Sequence, residues 1–126
     1  MDKQVQDWWE QAKADFKTAQ DSISSKNYYA SVAFSQQSAE KALKTVYILI
    51  FHKTPPKIHD LVQLGAEVKA PNSILSQAEN LTGTYLSSRY PETAPEIPAR
   101  YYTKEKAQTH LKEAEAILLW IEKRIK

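Results

Sequence analysis

The chain has 126 residues, 42% of them hydrophobic, and a formal net charge of +2, which suits one domain with one core. It has no cysteine and three scattered histidines, His52, His59 and His110, so disulfides and thiolate metal sites are excluded and no metal-ligand spacing occurs. No apolar run reaches the roughly 20 residues of a membrane helix, and the mild, intermixed charge argues no nucleic-acid affinity by itself.

The N-terminal MDKQVQDWWEQ is charged and amphipathic, unlike a secretory signal. A single cytoplasmic domain over residues 1–126 is therefore expected, with no membrane association, no metal and no cofactor. Only two glycines occur, which leaves most of the chain free to be helical.

The first helix is predicted from about Lys3 to about Ser24. Val5, Trp8, Ala12, Phe16, Ala19 and Ile23 step by three or four along one face. Trp8 and Trp9 lie about 100° apart on a helix and cannot both enter one core. One is expected to face the bundle and the other to be partly exposed or to meet a partner. A short polar break, Ser25-Lys26-Asn27, favours an antiparallel second helix.

That second helix is predicted from Tyr28 to Phe51. Tyr28, Val32, Ala39, Leu43, Val46 and Ile50 form one stripe, while Ala30, Phe34 and Ile48 lie on another side. A helix apolar on more than one side is packed from more than one side, by the bundle or by a second subunit. A homodimer is expected on this ground. Pro55-Pro56 then stops the helix.

A short third helix is expected over His59–Lys69 with Leu61, Leu64 and Val68 inward. A fourth follows, capped by Asn72 or Ser73 and running to about Leu86, with Ile74, Leu75, Ala78, Leu81 and Tyr85 inward. Residues 87–102 contain Pro91, Pro95 and Pro98 and read as irregular. Thr103 caps a last helix to about Ile125, whose Ala107, Leu111, Ala114, Leu118, Ile121 and Ile125 alternate steps of four and three, a bundle seam. The expected fold is all-α, an up-and-down bundle of four long helices plus a short one.

Chemistry is sparse. Gln37, Glu40, Lys41 and Lys44 share one side of the second helix. Asp15 interrupts the apolar stripe of the first helix and should lie level with Gln37. A carboxylate there needs a partner, Lys41 or Lys44. The group reads either as a structural polar network or as the lining of a phosphate or nucleotide cleft. His59 stands near a helix start, as a packing residue or as a donor to an anion. Arg89, before Tyr90-Pro91, is displayed at a helix end, to bind a terminal carbonyl or a phosphate. Tyr90, Tyr101 and Tyr102 either stack on bases or cover the end of the bundle.

The ordered set resembles the HEPN domain family. Trp8 or Trp9, Ala12, Asp15, Phe16 and Ala19 are similar to its first helix. Ala33-Phe34, Gln37, Ala39-Glu40-Lys41 and Leu43-Lys44 are similar to its second, and His59-Asp60-Leu61 and Arg89-Tyr90-Pro91 follow in order. The resemblance implies a dimeric helical bundle. Many relatives are ribonucleases with an Arg, four to six intervening residues and a His, and this chain departs from that. Neither Arg89 nor Arg100 is followed by a histidine at that spacing; His110 is too far on. What remains implied is a non-catalytic nucleotide- or RNA-binding subunit that acts with a minimal nucleotidyltransferase, in a toxin–antitoxin-like pair. Its expected site is Lys41, Lys44, His59, Arg89 and Tyr90, supported by Asp15, Gln37 and Glu40. The alternative is a divergent, metal-independent ribonuclease.

Overall fold

Asp2 opens the first helix, its carboxylate accepting from the Val5 amide at 3.0 Å. The computed structural model describes residues 2–126 and, among these, is helical without a strand. Helix α1 covers Lys3–Ser24 and α2 Tyr28–Phe51. Between them Lys26 takes a left-handed conformation, φ 64°. The Asn27 amide bonds the Ser22 carbonyl at 2.8 Å and the Lys26 amide bonds that of Ile23 at 3.0 Å. These two bonds satisfy the end of α1 and reverse the chain. Trp8 then lies opposite Lys44 and Asp15 opposite Lys41, as an antiparallel hairpin requires.

Helix α3 covers Leu61–Glu67, α4 Asn72–Thr82, α5 Thr84–Ser87, α6 Pro98–Tyr101 and α7 Lys104–Ile125, with one 3₁₀ turn at Pro91–Thr93. The third helix starts later than its pattern predicts. Asp60 is its N-cap, accepting from Val62 at 2.9 Å and from Gln63 at 3.2 Å, so His59 lies before the helix. The residue before α4 is Pro71, with no side-chain cap, in place of the expected Asn72 or Ser73. Gly83 divides the fourth helix into α4 and α5. The span 87–102, read as irregular, contains the 3₁₀ turn and α6. Gly65 lets α3 and α4 close on each other, because a Cβ there would lie 2.9 Å from Leu75 Cδ2.

The bundle centres on α2. α1 packs along it most extensively, α7 lies against α2, α1 and α4, and the α3–α4 pair closes the remaining side. Leu43, Val46, Leu61, Leu64, Val68, Leu81, Ile117 and Ile121 form the core. On α2 every residue from Ala42 to Ile48 is buried within the one chain. The middle of its two-sided apolar surface is thus covered by this bundle, whereas Phe34, Ile50 and Phe51 stay exposed. On α1 the core position belongs to Trp9, not Trp8; the latter is only partly buried and has Lys44 Nζ 6.0 Å from its ring centroid. Val32, Tyr102 and Ala107 make a second small cluster at the other end. No helix among the described residues is long and apolar enough to cross a membrane.

Candidate functional site: a buried polar network on the central helix

The polar side chains of α2 do not face water. Lys44 and Glu40 are four residues apart and paired at 2.9 Å, with side chains only 7% and 8% exposed. Two charges removed from water need additional hydrogen bonds to hold them. Gln36 Nε2 donates to Glu40 Oε1 at 3.0 Å, and His59 Nδ1 lies 2.9 Å from the same oxygen. Burial alone pushes the Glu40 carboxyl up. Hydrogen bonds from Lys44, His59 and Gln36, and then the Lys44 charge, outweigh it and hold the carboxyl below its ordinary value. Glu40 is therefore an ionised acceptor. That assigns the proton to His59 Nδ1 and leaves Nε2 free.

A second ion pair joins the hairpin. Lys41 Nζ bonds Asp15, which also accepts from Gln11 at 2.9 Å. The buried aspartate of α1 thus finds the lysine its position demands, at Lys41. Lys41 also reaches Gln37 Oε1 at 3.4 Å, and Gln37 donates to Gln36 at 3.2 Å. Gln36 links the two ion pairs into one chain of bonds.

Arg89 closes the far end. Its Nε donates to the Tyr85 carbonyl at 2.9 Å and one terminal nitrogen donates to Gln36 at 3.4 Å. Its guanidinium carbon lies 4.4 Å from the Tyr85 ring centroid. The His59 ring stacks on the same tyrosine, with centroids 4.0 Å apart and planes 13° apart. Arg89 makes no ion pair with a carboxylate among the described residues. Its remaining donors and the half-exposed His59 are the groups of this network that stay open to a ligand.

Of the residues expected to form the site, Asp15, Gln37, Glu40, Lys41, Lys44, His59 and Arg89 are joined in this single network. Tyr90 is outside it, 44% exposed and bonded here only through its backbone. Gln36 and Tyr85 were not singled out by sequence. Gln36 was findable, lying four residues before Glu40 on the same helix side. Tyr85 reads as a core position, and only the fold brings His59 and Arg89 onto its ring. The functional and structural readings of the α2 cluster meet here. Lys44 is buried in its pair with Glu40, whereas Arg89 and His59 form the accessible edge.

No curated protein matches the chain. Among solved structures, the crystal structure of TT1696 from Thermus thermophilus superposes with a TM-score of 0.87 at 31% identity, covering 97% of this chain and 98% of that one. The structure of ST0689, described as an archaeal HEPN homologue, gives a TM-score of 0.82 at 34% identity over 100% of both chains. The HEPN domain model itself matches residues 5–124. With the whole helical frame so covered, the chain belongs to the HEPN family.

Proposed function

We propose that this HEPN protein is a binding subunit for a nucleotide or an RNA phosphate, without turnover of its own, and that it forms a homodimer acting with a minimal nucleotidyltransferase. The observation that carries the reading is Arg89. It is a partly buried guanidinium, pre-positioned on Tyr85 and a backbone carbonyl, with no carboxylate among the described residues to neutralise it. Such a group is suited to grip a phosphate through the donors it has left. His59 beside it offers a second contact, and exposed Tyr90 offers a face to a base.

Lys41 and Lys44 serve this site indirectly. Each is committed to a carboxylate, so their charges hold the network in place more than they meet a ligand. A charge-assisted phosphate contact contributes roughly 1.5–3 kcal/mol, so Arg89→Ala should weaken nucleotide binding by about one to two decades. Circular dichroism should be unchanged, since Arg89 lies beyond the end of α5. Calorimetry with a panel of nucleotides checks this. Equal binding by Arg89→Ala, or none by the wild type, removes the site. Co-expression with a minimal nucleotidyltransferase, followed by gel filtration, tests the partner; separate elution counts against it.

One observation favours a second reading. The Glu40–His59 pair orients an imidazole with a free Nε2 next to an arginine, and a base beside a cation is what cleavage through a ribose 2′-hydroxyl needs. Incubation with structured and unstructured RNA in the presence of chelator separates the two. We expect no cleavage above background. Cleavage that vanishes in His59→Ala would replace the binding reading with a ribonuclease.

A further inference from the structure

Helix α5 has two working faces. Tyr85, with Arg89 just past the helix end, carries the network, whereas Thr84 and Ser87 border a different cleft of about 300 Å³, walled on the far side by α7 and by the residues after the 3₁₀ turn. That volume lies at the small-ligand end of the usual pocket range. The cleft contains none of the residues discussed above as the α2 site.

Its wall is ordered by hydrogen bonds. The Tyr102 hydroxyl and Ser87 Oγ are 2.5 Å apart, and Tyr101 meets Tyr102 edge-on with centroids 5.0 Å apart. Thr93 Oγ1 lies 2.8 Å from both the Leu86 and Tyr90 carbonyl oxygens, which ties down the loop that forms the rim.

Two polar groups enter this cleft from successive turns of α7. Lys106 Nζ stands 3.9 Å from the Tyr101 ring centroid and donates to the Tyr101 carbonyl at 3.3 Å. Among the described residues it has no carboxylate partner. His110 Nδ1 is 2.6 Å from Glu113 Oε1, with side chains 18% and 10% exposed. With the Glu113 carboxylate engaged at Nδ1, Nε2 is left without a hydrogen bond among the described residues, on a side chain that lines the cleft. An unpaired ammonium, an oriented imidazole and two aromatic rings therefore meet in one concavity.

We infer that this cleft binds a small ligand carrying an oxyanion on a planar ring. Lys106 and His110 meet the oxyanion, and Tyr101, backed by the buried Tyr102, lies along the ring. The shared chemistry of a phosphate and a carboxylate suffices, so phenyl phosphate and benzoate are the probes. Phenol and inorganic phosphate serve as the ring and the anion alone.

Proton NMR of the full chain reads the tyrosine and histidine ring signals. At least one of phenyl phosphate and benzoate should shift the His110 and Tyr101 signals saturably, at least tenfold more tightly than either half-probe. Lys106→Ala, an exposed position that the fold does not depend on, should weaken binding roughly tenfold or more. Arg89→Ala should leave it unchanged, which separates this cleft from the α2 site. Silence of the His110 and Tyr101 signals toward both probes at millimolar concentration overturns the assignment. So does equal binding by Lys106→Ala, or equal binding of inorganic phosphate alone.

Discussion

Glu40 is the residue on which three partners converge, from α2 itself and from the segment before α3. Replacing it with glutamine keeps the shape but leaves Lys44 buried without a counter-charge. Glu40→Gln should therefore destabilise the protein by about 3–5 kcal/mol in urea unfolding, the range for breaking a buried ion pair. A pH dependence follows with a definite sign. The folded state holds the Glu40 carboxyl below its ordinary 4.5. Its stabilisation is thus fully present above that value and lost as pH falls through the lower folded-state value. Wild type should lose stability steeply on the acid side, and Glu40→Gln should lose less there; identical acid limbs would show that Glu40 is not the group responsible.

At the scale of elements, the turns carry the readable weaknesses. Lys26 and Lys69 both sit at left-handed positions, φ 64° and 59°, just past the ends of α1 and α3. A side chain in that conformation costs roughly 1–2 kcal/mol, which glycine avoids. Lys26 is also exposed and makes no side-chain bond among the described residues. Lys26→Gly should therefore stabilise the protein by about 0.5–1 kcal/mol, after allowance for the greater freedom of glycine in the unfolded chain. Gly83 presents the opposite case. Its backbone is right-handed helical, φ −64°, and a Cβ there meets nothing within 4 Å. Gly83→Ala should raise stability by about 0.4–1 kcal/mol and join α4 to α5 more firmly. Thermal unfolding of the two variants checks both; a loss in either would mean the turn is held by something other than backbone preference.

For the whole molecule, α2 is the strut that α1, α3 and α7 share. Leu43, fully buried at its middle, should cost about 2–5 kcal/mol on replacement by alanine, because the rods around it cannot all move inward to fill the space. Burial of Ala42–Ile48 within one chain accounts for the middle of α2, while Phe34, Ile50 and Phe51 keep apolar surface that a second subunit would cover. Large apolar and aromatic side chains more than two-fifths accessible are Tyr29, Ile50 and Phe51 on α2, Leu86 on α5, Tyr90 before the 3₁₀ turn and Leu119 on α7. Light scattering over a wide concentration range tests the proposed homodimer. A stable monomer at high micromolar concentration would leave those residues as isolated surface groups.

Helix limits were legible wherever a local signal is strong. The polar break at 25–27, the paired prolines after Phe51 and the Thr103 cap set the ends of α1, α2 and α7 from short-range chemistry alone. The need of Asp15 for a lysine was legible too, because a carboxylate in an apolar stripe has few alternatives. The choice of Trp9 over Trp8 was not, since both fit a helical period and only the position of α2 distinguishes them. His59 and Arg89 are far apart in the chain, and nothing local brings them together. Their meeting on Tyr85 depends on how α5 docks against α2, as does the cleft on the other side of α5. Short-range rules decide where helices begin and end. Which polar groups share a ring or a cavity is decided by packing, because that depends on contacts between elements distant in sequence.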